Sequence, residues 1–139
     1  MVKKIFKLAE ILELSQELNG NAKLQGILSL SMTMLTKFRL SKLNNELAKE
    51  VETYQKINDE LIKKYGEERD GNYLIPNYLD DSETSEKKQN PNILKYLEEL
   101  NPILLEEKEI EFSEVKIEDF QDVKIEGYYP IFFSKILIE

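Results

Sequence analysis

The sequence predicts a mainly helical α+β fold: a long helix hairpin, a third helix and small C-terminal β segments. Three patterns predict it. One is a seam of apolar residues at helical spacing over 40–65. The second is a shorter stretch of the same period over 4–18. The third is a change to period-two alternation after Glu106. The organisation expected is a single domain over 1–139. It comprises a helical hairpin (4–65), a turn (66–78), a flexible polar loop (79–91), then a helix, β segments and an apolar tail over 92–139.

In the first helix, Ile5, Leu8, Ala9 and Leu12 recur at i, i+3, i+4 and i+7, and Ile11, Leu14 and Leu18 widen the face. Asn19-Gly20-Asn21 ends it, since glycine suits the left-handed turn after a helix. A second helix is expected from about Ala22 to Tyr65. Its best-marked part is Leu40, Leu43, Leu47, Val51, Tyr54, Ile57, Leu61 and Tyr65, spaced 3, 4, 4, 3, 3, 4 and 4 apart with polar residues between. Residues 28–34 alternate apolar and hydroxyl side chains, which also suits a strand. Helix is favoured there because Leu24, Leu28, Leu35 and Phe38 keep near-helical spacing. Gly66 stops the helix, and Asp70-Gly71 marks a tight turn of a short hairpin. Asn90 is placed to cap a third helix with Pro91 at its first position; Ile93, Leu94, Leu97 and Leu100 form its apolar face, and Pro102 bends or restarts it. Beyond Glu106, Ile110 and Phe112 alternate with Glu109 and Glu111. Two near-copies, 114–118 and 122–126, then predict a small hairpin. Pro130 is placed to open a short helix in the tail, with Phe132/Ile136 and Phe133/Leu137 as i, i+4 pairs.

Composition excludes much chemistry. The 139 residues include no Cys, His or Trp. That removes thiolate nucleophiles, disulfides, His-ligated zinc and imidazole proton shuttles. A metal site would need oxygen ligands, hence Mg²⁺ or Ca²⁺. Glu10, Glu13 and Glu17 interrupt the apolar stretch after the basic start, against a signal peptide. The longest uncharged apolar-rich stretch, Leu24 to Thr36, is shorter than a membrane helix. A soluble protein is expected; the lack of thiols fits a reducing cytosol, and a virion as well. Of the net charge of −8, residues 1–64 carry +3 and residues 65–139 carry −11. The acidic half repels phosphates, so direct nucleic-acid binding is not expected.

The run Leu61-Ile62-Lys63-Lys64-Tyr65-Gly66 followed by Asp70-Gly71-Asn72-Tyr73, set between a long charged helix and a short third one, resembles a group of small uncharacterised proteins of tailed phages and prophages. The resemblance covers about residues 5–76, with a vaguer match through 92–138. The polar loop 79–91 and the aromatic tail depart from the pattern. It implies a phage source and a role in protein contacts, and it supplies no catalytic residues.

Other candidate chemistry is thin. Glu114-x-Lys116 and Asp122-x-Lys124 have half the pattern of an Mg²⁺-dependent nuclease site, but no partner acid follows a proline at a strand end. Asp70, Asn72, Asp80, Asp81 and Glu83 suggest Ca²⁺, yet Ser85 stands where a calcium loop needs glycine. No catalytic, cofactor or metal residue is assigned. Tyr54 and Tyr65 read as core. The seam packs within the chain on 4–18 and 92–105, with a homo-oligomer as the alternative. The tail, with eight apolar residues in Tyr128–Ile138, either folds back on the core, which is favoured, or meets a partner. As a docking surface it would comprise Tyr128, Tyr129, Phe132 and Phe133, with Glu111 and Glu114 from the acidic half. The expected function is a non-enzymatic phage accessory protein that binds a phage or host protein. The alternatives are an acidic inhibitor of a bacterial defence system, such as an anti-CRISPR or nucleic-acid mimic, and, least favoured, a nuclease.

Overall fold

The computed structural model describes residues 1–76, 78–80, 87–120 and 129–138. The fold is α+β and mainly helical, with one long helix, a third helix and small strand pairs.

The chain starts with a strand, β1 (Val2–Lys7), where the sequence suggested the start of a helix. Its alternation explains this: Phe6 is buried, whereas Lys3, Ile5 and Lys7 face solvent. The first helix, α1 (Leu8–Asn19), buries Ile11, Leu14, Glu17 and Leu18. Glu10 reaches back to accept the Lys7 N–H at 3.0 Å, satisfying a donor that the helix start would orphan. Gly20, at φ 81°, ends α1 as expected.

The helix expected from Ala22 begins only at Met34. Local polar bonds hold the intervening chain out of it. Asn21 Oδ1 accepts the N–H groups of Lys23 and Leu24 at 2.8 and 3.0 Å, a turn that competes with helix. Gly26 then crosses the end of α1 so closely that a Cβ there would lie 2.4 Å from the Asn19 carbonyl carbon. A short 3-10 turn (Ile27–Ser29) follows, and Met32 bridges to Phe120. Thr33 starts the next helix by accepting the Thr36 N–H at 3.3 Å and donating to the buried Thr36 hydroxyl at 2.9 Å. That helix, α2, runs Met34–Tyr65, 32 residues or about 48 Å. The seam over 40–65 faces inward. Leu40, Leu43, Leu47 and Leu61 are buried, and Val51, Tyr54, Ile57 and Tyr65 half-buried.

The chain divides into two compact units, Met1–Glu52 with Glu106–Glu139, and Thr53–Leu105. The second contains a hairpin of β2 (Glu67–Arg69) and β3 (Asn72–Leu74), turned by Asp70 and Gly71, both at positive φ. The polar segment that follows is flanked by paired strands, β4 (Tyr78–Asp80) and β5 (Lys87–Gln89). Helix α3 (Pro91–Leu104) is capped by Asn90, whose side chain accepts the Asn92 N–H at 3.0 Å. Pro102 does not interrupt it. Beyond it the Leu105 N–H still reaches the Asn101 carbonyl and closes the last turn. Tyr96 donates to Asn58, and Lys64 meets Glu99 at 3.1 Å, so α3 lies along this half of α2.

In the first unit, β6 (Glu107–Phe112) pairs antiparallel with β1, Val2 opposite Phe112 and Lys7 opposite Glu107. Ile110 and Phe112 turn inward, as their alternation predicts. β7 (Val115–Lys116) pairs in parallel with β8 (Leu137–Ile138). The hairpin expected between the twin segments involves 122–126, outside the described residues. Pro130 opens a helical turn that widens into a π-helix over Phe132–Ile136. The core joins Phe6, Leu14, Leu47, Phe112, Tyr129 and Phe132 with their apolar neighbours.

Candidate functional site

The tail is part of the core. Tyr129 and Phe132 are buried, so they offer a partner nothing in this fold. Tyr129 donates its hydroxyl to the Gln25 carbonyl at 2.6 Å, and Phe132 packs edge-on to Phe120. Phe133 is the exception, 41% exposed beside both rings. Tyr128 lies outside the described residues. Glu111 is exposed on β6, opposite Lys3, and Glu114 is half-buried just before β7.

Two charged clasps hold the tail. Glu17, only 2% exposed, accepts the N–H groups of Phe132 at 2.9 Å and Ile131 at 3.3 Å, satisfying the first donors of the tail helix. Lys135 donates to the Ile5 carbonyl at 2.8 Å and to Glu10 at 3.1 Å, and lies over the Phe6 ring. Lys4 donates in return to the Lys135 carbonyl at 2.6 Å.

The two carboxylates titrate in opposite senses. Burial pushes the Glu17 carboxyl above its ordinary range, with the Glu13 charge adding to the effect, and the Phe132 and Ile131 amides only partly offset it. Burial also acts on Glu10, but the Lys7 amide and the Lys135 ammonium outweigh it and hold that carboxyl low. Because folded Glu17 takes its proton at higher pH than the unfolded chain does, its contribution to stability grows as pH falls through its raised pKa. It levels off below the ordinary value of 4.5. The Glu10 contribution is present above that value and is lost as pH falls through its lowered pKa. Glu17→Gln is therefore expected to melt higher relative to the parent at pH 7.5 than at pH 5. A gap that stays constant, or widens on acidification, would contradict this assignment.

The other feature is a groove of about 420 Å³ in the first unit. One wall is the start of α2, with Leu35, Phe38, Arg39 and Lys42. The other is β6. Leu35 and Phe38 are 58% and 60% exposed, and Met34 beside them is more exposed still. Their near-helical spacing puts them on α2, where they form an apolar strip in solvent. Lys42 lies over the Phe38 ring at 5.4 Å. At the far end, Lys108 pairs with Glu50. One sequence signal marked this wall: residues 18–45 contain no Asp or Glu but four Lys or Arg, within a chain that has 27 acids.

Lys116 is exposed and lies 4.0 Å from Glu118. Among the described residues no three Asp or Glu converge on a metal position, and no helix is long and apolar enough to cross a membrane. Asp70 serves its turn. No family model, curated protein or solved structure matches this chain.

Proposed function

We propose that this chain is a non-enzymatic binding protein that docks on another protein through the groove between α2 and β6. The observation that carries this reading is the exposed Leu35–Phe38 strip, flanked by cations and left uncovered beside a strand. An apolar centre with a charged rim is how protein interfaces are built. The buried anchors supply the energy and the rim sets orientation and rate. The Lys-Tyr-Gly…Asp-Gly-Asn-Tyr turn makes a phage or prophage accessory protein the favoured role, in virion assembly or on a host factor.

The nucleic-acid-mimic alternative finds one supporting feature. Glu107, Glu109 and Glu111 form a row on the solvent face of β6, spaced about 7 Å apart. However, Lys7 and Lys3 stand directly opposite its two ends, which weakens the row as a copy of phosphates. A photo-crosslinking residue at Phe38, in the chain exposed to lysate of phage-infected bacteria, is expected to give one discrete adduct. Arg39→Glu should deplete that adduct, and the same probe at Phe133 should not give it. Identical adducts from both positions, or none from Phe38, would contradict the assignment.

A further inference from the structure

The walls of the groove differ in kind, and the difference identifies what fits between them. The strand wall consists of six consecutive residues, Lys108–Ser113. Side chains alternate along a strand, so a wall formed by one face of β6 would show every second residue. A continuous run fits a strand whose edge is turned to the groove. β1 occupies the opposite edge of β6, and among the described residues no other strand pairs with it. Among the described residues, no strand therefore pairs with the N–H and C=O groups of the groove edge. The lengths agree as well. Lys108 to Ser113 spans about 17 Å at strand rise, and Leu35 to Glu46 spans about 17 Å at helix rise.

Charge then selects the occupant. β1 shows what β6 accepts: it sets Lys3 opposite Glu111 and Lys7 opposite Glu107 on the solvent face, and turns Val2 and Phe6 inward. Glu109 faces Ile5, so it has no cation across from it in that pairing. On the helix wall, Arg39 and Lys42 outnumber Glu46 and disfavour cations on the inward side of a ligand beside Leu35 and Phe38.

Resting on the groove as the binding site, we infer that it takes an extended segment of a partner protein as a third strand on β6. The segment carries basic residues on its outward face and apolar residues on its inward face. The partner's backbone pairs with the free edge. Its lysines or arginines continue the ladder at Glu109 and Glu111, and its apolar side chains cover Leu35 and Phe38.

The test is a random octapeptide display library panned on the full chain, with Phe38→Asp as the subtractive control. Phe38 is exposed, so that variant folds. The expected peptides carry Lys or Arg at every second position, alternating with apolar residues. Methylating alternate backbone amides of a selected peptide weakens it about tenfold or more, whereas methylating the others does not. Panning on Glu109→Lys shifts the selected charge to Asp or Glu. Peptides that lack alternation, or tolerate methylation everywhere, overturn strand addition while leaving the groove as the site. No enrichment over the Phe38→Asp control sinks both, as does Phe38-dependent flotation with phosphatidylglycerol vesicles in place of peptide binding.

Discussion

Leu47→Asp is expected to abolish cooperative unfolding of the Met1–Glu52 and Glu106–Glu139 unit. Leu47 is 0% exposed and packs in the same cluster as Leu14, Leu43 and Phe112. Removing such a side chain alone costs about 2–5 kcal/mol. A carboxylate put in its place lies in that apolar cluster, and an unpaired buried charge adds several kcal/mol. A domain of this size has about 5–15 kcal/mol in total. Circular dichroism should therefore show loss of the thermal transition. Leu35→Asp, twelve residues earlier on the same helix but in solvent, should melt within a degree or two of the parent. Equal melting of the two variants would mean that the seam is not the buried side of α2.

Phe132→Ala separates the two roles open to the tail. Its ring is wholly buried and packs on Phe120, while the backbone N–H beneath it is held by Glu17. The expected cost is about 3–5 kcal/mol, read as a lowered urea midpoint with unchanged slope. Phe133→Ala should cost about 1 kcal/mol or less, since its ring is partly in solvent. A tail that served only as a docking surface would give the reverse: no change in stability for either variant, and lost binding for both.

Several elements were legible in the residues themselves because their signals are local. Asn90-Pro91 marks a helix start and Asp70-Gly71 a turn. The leucine spacing over 40–65 marks a helix with one inner face, and Ile110 and Phe112 mark a strand by alternation. Each depends on groups a few residues apart. Two stretches were misread for the opposite reason. Residues 4–7 suit a helix by period, yet they belong to a strand because β6, a hundred or more residues later, supplies matched charges and a ladder. Residues 22–33 keep near-helical spacing, yet Gly26 must cross the end of α1 and Asn21 bonds locally.

The candidate site divides along the same line. From composition alone the chain lacks thiol and imidazole chemistry, and the amphipathic rod over 40–65 follows from its own leucines. The absence of a side chain type and the period of a helix need no knowledge of what lies beside them. Which apolar residues remain in solvent was decided only on folding. Tyr129 and Phe132 suit either core or a docking patch by sequence, with core favoured, and they lie inside, held by Gln25 and Glu17. Leu35 and Phe38 mark a helix by spacing and yet stay outside, because the first turns of α2 lie beside β6, where no other described element covers them. Burial is a property of neighbours distant in sequence, and those neighbours meet only in the tertiary structure.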